Sequence, residues 1–118
     1  MTDLTPYLNR IDILNDTAQQ IIKDFRMSGM EIKFSANPEN AYAELFSQIL
    51  PLIEKLQKEN FQSLYNLLYR IDISEGQIKK EVALATDKSF AQVVTNLILK
   101  RELLKVVIRK TYSAGKQL

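Results

Sequence analysis

The residues of this chain that could carry chemistry are carboxylates, cations and hydroxyls, because the sequence contains neither cysteine nor histidine. This absence excludes structural zinc, di-iron sites of the Glu-x-x-His type and disulfides. It equally excludes catalytic triads built on histidine and imidazole acid–base catalysis. The sequence shows no nucleophile beside a base and no glycine-rich phosphate loop. We therefore predict a protein that is not an enzyme, with no catalytic residues and no bound metal or cofactor.

Two groups of carboxylates could be taken for metal sites. Residues 72–76 invite comparison with a calcium-binding loop, but the glycine falls at the fifth loop position, and Ala83 stands where the bidentate acid belongs. Asp12 and Asp16 lie one helical turn apart, which is the spacing of a cation-binding pair. A capped turn between helices explains the first group, and a solvated acidic face explains the second.

Three cations follow one another at four-residue spacing near the end of the chain: Arg101, Lys105 and Arg109, here called the basic row. Such a row could bind phosphates, nucleic acid or anionic lipid. It also suits the C-terminal end of a helix, whose dipole favours cations without any ligand. No recognised DNA- or RNA-binding signature accompanies the row, so nucleic acid is the less favoured partner.

Arg101 also occupies an unusual place, because a helical wheel puts it about 20° from the centre of an apolar stripe. A guanidinium there needs a carboxylate partner, since an unpaired buried charge costs several kcal/mol. Residues 1–59 hold six basic and nine acidic side chains, whereas residues 60–118 hold ten basic and five acidic ones. We expect the two halves to attract each other, within a chain or between chains, and the acidic first half to supply the partner of Arg101.

Apolar spacing predicts two helices in the first half of the chain. The first is expected to start at Thr5 and Pro6 and to end at Gly29. The second follows an Asn37 cap, buries Tyr42 among its apolar residues, and should kink or break near residues 47–50. The reason is that Pro51 removes one backbone hydrogen bond and clashes with the preceding turn.

Residues 30–34 alternate apolar and polar side chains, which is the period of a strand, but no second segment repeats the pattern. We predict an extended strap over the core. In the second half, Asn60 and Ser74 are the expected caps of two short helices. Thr86 or Asp87 is expected to cap a long last helix from about residue 88 to residue 112.

These elements predict an all-α bundle of about five helices with a long C-terminal helix, forming one domain over residues 1–118. A chain of 118 residues is long enough for one hydrophobic core, and its three glycines and three prolines suit long elements. No stretch has the roughly 20 apolar residues needed to cross a bilayer, and the start does not resemble a secretory signal. We therefore expect a cytoplasmic protein.

The last helix is apolar on two sides. One stripe contains Val94, Leu97 and Ile98 and is continued by Leu104 and Ile108. A second line of residues, here called the reverse row, lies on nearly the opposite side: Leu99, Leu103 and Val106. A helix with two apolar faces is either central in its own fold or shared with another chain, and we predict that the reverse row forms an interface.

Residues 60–72, followed by residues 97–103, resemble small all-helical bacterial proteins that have no assigned function. The resemblance is limited to the second half of the chain. It implies a cytosolic helical protein, and it carries no activity, ligand or site residue with it.

Two functions follow from these observations. The preferred one is a helical protein-interaction module that binds a copy of itself, as a homodimer, or another protein through the reverse row. The alternative is an anion-binding module that contacts nucleic acid or a membrane surface through the basic row. The two differ in salt dependence, because phosphate binding weakens steeply with salt and apolar association does not.

Overall fold

The computed structural model describes residues 5–7 and 10–113, and these form five α-helices. The helices are α1 (Ile11–Met27), α2 (Ala41–Glu59), α3 (Phe61–Ile71), α4 (Glu75–Leu84) and α5 (Phe90–Ser113). Two short 3₁₀ turns precede α1 and α2, at Thr5–Tyr7 and Pro38–Asn40. No β-strand occurs within the described residues, so the predicted all-α fold with a long last helix is confirmed.

The start of α1 differs from the prediction, while its end agrees. Arg10 has an extended backbone, and its N–H donates to the carbonyl of Tyr7, so the α-helix starts only at Ile11. At the other end, Gly29 adopts a φ of +79°, which a glycine reaches without steric cost. Its N–H donates to the carbonyl of Arg26, and this C-cap ends α1 as predicted.

Residues 30–34 form the predicted extended strap, which places Ile32 in the core. The side chain of Gln48 in α2 pairs with both backbone groups of Lys33. It accepts from the Lys33 N–H at 2.9 Å and donates to the Lys33 carbonyl at 2.7 Å. One side-chain amide thus takes the place of a neighbouring strand at Lys33, where it satisfies both backbone groups.

Of the kink or break predicted near residues 47–50, the break does not occur. The helix continues through Pro51, because the fully buried Ile49 and Ile53 anchor the backbone on both sides of the proline. The prediction that Tyr42 is buried in the core is wrong, because the residue is 43% exposed. Its hydroxyl donates to the side-chain oxygen of Asn96 in α5, so the residue joins two helices at the surface.

The short helices α3 and α4 have the predicted caps. The side chain of Asn60 accepts from the N–H of Ser63 at 3.1 Å, and the hydroxyl of Ser74 accepts from the N–H of Gln77 at 3.1 Å. Each cap satisfies one of the orphan N–H groups at a helix start. The sequence therefore located both helix starts correctly.

The cap of α5 is Ser89, and neither Thr86 nor Asp87 has that role. The N–H of Gln92 donates to the Ser89 hydroxyl at 3.1 Å, and the N–H of Ser89 donates to the Gln92 side chain at 2.8 Å. This reciprocal pair is a capping box, with Gln92 in the position usually held by glutamate or glutamine. It satisfies two donors at once, whereas a single threonine or aspartate cap would satisfy one.

The hydrophobic core surrounds α5, which packs against each of the other four helices. The main cluster combines buried residues of all five helices with Ile32 of the strap and Ile73. A smaller second cluster lies between α1 and the C-terminal half of α5 and contains Ile13, Leu103, Val106 and Val107. Among the described residues, none of the helices has the length and apolar character that crossing a membrane requires.

Candidate functional site

The reverse row is part of the protein's own core, so its predicted role as an exposed interface is wrong. The exposed fractions of Leu99, Leu103 and Val106 are 4%, 7% and 0% within a single chain. Leu103 and Val106 pack on Ile13 of α1, and Leu99 belongs to the main core. The physical reason is that α5 is enclosed by its neighbours, so that its second apolar face is covered by α1.

The attraction between the acidic and the basic half acts within the chain, at the packing of α1 on α5. The ammonium of Lys110 lies 2.9 Å from Asp16 Oδ2 and 3.7 Å from Asp12 Oδ2. The hydrogen bond to Asp16 raises the pKa of Lys110. Asp12 also pairs with Arg10, and this hydrogen bond lowers the pKa of the Asp12 carboxyl. The pair Asp12 and Asp16 therefore holds a lysine of the same chain.

Arg101 has a carboxylate partner, but the partner comes from the second half of the chain. Its Nη2 donates to Asp72 Oδ2 at 2.7 Å. Asp72 follows the last residue of α3 in a left-handed conformation, with a φ of 73°. The turn that invited comparison with a calcium loop is thus used internally, because Asp72 pairs with Arg101 and Ser74 caps α4. The described residues contain no group of three or more potential metal ligands.

Lys105 of the basic row leads to a site that the sequence did not reveal, here called the carboxyl cluster: Asp24, Glu102 and Lys105. Glu102 is fully buried and Asp24 is nearly so. The Lys105 ammonium lies 2.6 Å from Glu102 Oε1 and 3.7 Å from Asp24 Oδ2. The angles between the Lys105 ammonium and the Glu102 carboxyl are not those of a hydrogen bond. Neither oxygen of that carboxyl therefore accepts a hydrogen bond.

The environment of Glu102 favours its protonated form. Burial raises the pKa of Glu102 to about 8, and the neighbouring Asp24 carboxyl acts in the same direction, while Lys105 acts against both. The sequence carried a signal for this burial, because Glu102 lies four residues after Ile98 and four before Val106. At that spacing the three side chains share one face of a helix.

The exposed apolar side of α5 is the continuation of the stripe that the sequence assigned to the core. Leu104 is partly exposed, and Ile108 and Tyr112 are exposed at 45% and 57%. These three residues, here called the front row, follow one another at four-residue spacing and lie nearly opposite Val106. Earlier in the helix the same stripe is buried at Leu97. The stripe is therefore covered in one half of α5 and open in the other.

The ion pair of Arg101 marks the point where the cover ends. Asp72 immediately follows α3, so the pair lies at the last turn of α3. One turn later the front row begins. Lys100 and Arg109 flank the row on its two sides, and within the described residues neither pairs with a carboxylate. The guanidinium of Arg109 makes one long hydrogen bond, at 3.4 Å, to the side chain of Gln20.

A second group of exposed apolar side chains lies on α3. Phe61 is 45% exposed, and its ring meets that of Tyr65 edge-on, with centroids 5.2 Å apart. The ring of Phe61 also packs on that of Phe90 at the start of α5, with centroids 6.3 Å apart, so the three rings form one group. Tyr69, one turn after Tyr65, is 87% exposed and belongs to neither core cluster. It is a suitable control position for tests of the front row.

Comparison with known proteins adds no neighbour: no family model, no curated protein and no solved structure matches the chain.

Proposed function

We propose that this protein is a helical protein-interaction module, without enzymatic activity, that binds its partner through the front row of α5. The observation that supports this most directly is an apolar line of Leu104, Ile108 and Tyr112 at helical spacing that the described residues leave partly open. Side chains four residues apart form a ridge, and a ridge packs into the groove of a second helix. The proposed partner segment is therefore an amphipathic helix.

The charges around the front row favour an acidic partner helix. Lys100 and Arg109 lie on either side of the row, so carboxylates flanking the apolar face of the partner would meet them. A second copy of this chain fits less well. In an antiparallel pair centred on Ile108, equivalent flanks face each other, which brings the two Arg109 side chains together. The homodimer expected from the sequence depended on the reverse row, which is buried.

The size of the surface favours weak, reversible binding. Full burial of an aliphatic or aromatic side chain contributes roughly 1.5 to 3 kcal/mol, and the front row has three residues that are already partly covered. Association itself costs roughly 4 kcal/mol or more. We therefore expect a dissociation constant of roughly hundreds of micromolar or weaker.

The anion-binding alternative receives less support from the basic row. Two of its three cations are already neutralised, Arg101 by Asp72 and Lys105 by the carboxyl cluster. Arg109 is the one cation of the basic row that forms no ion pair among the described residues. One such cation is a small fraction of the phosphate contacts that give nucleic-acid binding its affinity.

The test uses two fluorescent synthetic helical peptides with the same leucine ridge, one flanked by glutamates and one by lysines. Fluorescence anisotropy with the wild-type protein should show binding of the acidic peptide and at least tenfold weaker binding of the basic one. Ile108→Ser should abolish binding, and Arg109→Glu should weaken it severalfold. Tyr69→Ser and Lys55→Glu, at exposed positions of α3 and α2, are the matched controls and should bind as wild type.

Three outcomes would overturn the proposal. One is equal binding of both peptides, or binding that Ile108→Ser leaves unchanged. Another is a wild-type dimer in sedimentation equilibrium that Ile108→Ser dissociates, which would make a second copy the occupant. The last is tight binding of duplex DNA or anionic vesicles that falls steeply with salt and depends on Arg109.

A further inference from the structure

The carboxyl cluster contains more negative groups than it can neutralise. Asp24 and Glu102 are both withdrawn from water, and among the residues that the structure describes Lys105 is the one ammonium in contact with them. If both carboxyls were ionised, the cluster would carry a net negative charge at a buried position. Such an uncompensated charge costs several kcal/mol. The packing of α1 on α5 is therefore compatible with the cluster only while one carboxyl keeps its proton.

We propose that the carboxyl cluster is a proton-controlled latch: with its proton it holds α1 on the C-terminal half of α5, and on losing that proton it releases α1. Release uncovers Leu103 and Val106, which α1 shields in the closed form. The latch uses no residue of the front row, so it does not depend on the proposed function.

The groups that face Glu102 come from two helices. From α1 the titratable group is Asp24, whose carboxylate also accepts from the amide of Gln20 at 3.3 Å. From α5 itself it is Lys105. The neighbouring cation of α5, Arg101, is directed to Asp72 at the end of α3. No titratable group of α2 or α4, among the described residues, acts on Glu102.

The direction of the pH dependence follows from the position of the proton. The pKa of Glu102 is about 8 in the closed form and near 4.5 in water. Between these values the closed form binds a proton that the open form has released, so the opening equilibrium rises about tenfold for each pH unit. Below about 4.5 and above about 8 this carboxyl contributes no further change.

α1 is the element that opens, because it carries Asp24 of the carboxyl cluster and lies over Leu103 and Val106. Its first half rests on α5 through the small second cluster and the exposed lysine pair of Asp12 and Asp16. The main cluster, in contrast, is apolar and includes Val94 in the N-terminal half of α5. Opening of α1 gives Glu102 access to water. It also withdraws Ala18, Ile21 and Phe25 from the main cluster, whose members on α2 to α5 stay packed on one another.

The test exploits the absence of cysteine in the chain, since a single introduced thiol reports without background. Val106→Cys places the thiol beneath α1, Val94→Cys places it in the main core, and Lys55→Cys is an exposed reference. The rate of labelling by an aromatic disulfide is divided at each pH by that of Lys55→Cys, which removes the titration of the thiol itself. The range is about pH 5.5 to about pH 9.

The expected result is a normalised rate at Val106→Cys that rises about tenfold per pH unit up to about pH 8 and then levels off. The rate at Val94→Cys should stay far lower. Adding Glu102→Gln, which mimics the protonated form, should remove the pH dependence, and Glu102→Met should do the same with no carboxyl or amide. A normalised labelling rate at Val106→Cys that does not change with pH would refute the latch. So would a pH dependence that both Glu102 variants leave unchanged. Equal labelling rates at Val94→Cys and Val106→Cys would also refute it, because they would indicate global unfolding.

Discussion

The two halves of α5 have the same apolar periodicity and different surroundings. Residues 90–99 are enclosed by the neighbouring helices, and their buried polar group Thr95 is satisfied locally, because its hydroxyl donates to the Ala91 carbonyl at 2.7 Å. Residues 100–113 are covered on one side by α1, carry the buried Glu102, and leave the front row open. A helix with two apolar faces can therefore be enclosed by its neighbours along one half of its length and covered on one face only along the other half.

The largest effect should come from a charge placed in the reverse row. Leu103→Glu puts a carboxylate beside the buried Glu102 and against α1, which should cost several kcal/mol, a large part of the roughly 5 to 15 kcal/mol that stabilises a typical domain. We expect loss of the cooperative thermal transition, followed by circular dichroism. Ile108→Glu, on the open side of the same helix, should leave the transition within a few degrees of wild type. A folded Leu103→Glu monomer would show that α1 is not a tight cover.

The next largest effect on stability should come from truncating a buried side chain in the enclosed half of α5, residues 90–99. Ile98→Ala removes a fully buried side chain at the centre of the main cluster and should lower the free energy of unfolding by roughly 2 to 5 kcal/mol. Ile108→Ala should change it by less than about 0.5 kcal/mol, as is usual for surface positions. Urea titration measures both. Equal effects of the two truncations would contradict the difference between the two halves.

Removal of the ammonium from the carboxyl cluster should have an intermediate effect that depends on pH. Lys105→Ala leaves Asp24 and Glu102 without a counter-charge. Above pH 8 we expect the free energy of unfolding to fall by about 2 kcal/mol, which is less than for a fully buried pair because Lys105 is partly exposed. The loss should shrink towards pH 5, where Glu102 keeps its proton. Lys100→Ala serves as control, since Lys100 has no ion pair among the described residues. A loss that grew on acidification would contradict the assigned protonation.

The smallest effect is expected at the boundary between the two halves. Arg101→Met keeps the apolar stem and removes the ion pair with the mostly exposed Asp72, worth at most about 1 kcal/mol. The substitution also removes the buried Nε of Arg101, which has no hydrogen-bond partner, and this offsets part of the loss. Urea unfolding should therefore place the variant within about 1 kcal/mol of wild type. A loss above about 2 kcal/mol would show that the pair supports the turn after α3.

The sequence by itself determined the fold class, the strap and most helix ends. Caps such as Asn60 and Ser74 and the terminator Gly29 act through hydrogen bonds and backbone angles within a few residues, so local spacing predicts them. The start of α1 and the continuity of α2 through Pro51 were not predictable in this way. In α2, distant packing of Ile49 and Ile53 outweighs a local penalty.

Only the tertiary structure decided which apolar row of α5 is core and which is surface. A helical wheel places the reverse row and the front row on opposite sides, but periodicity is the same whether a neighbour covers one side or the other. The choice depends on where α3 ends and on which side α1 returns, and these are relations between distant segments. The partners of the charged side chains also depended on the tertiary structure. The charges of the two halves predicted an attraction between them, which acts between α1 and α5. The pairing of Arg101 with Asp72 could not be predicted, because it depends on the position of the turn after α3.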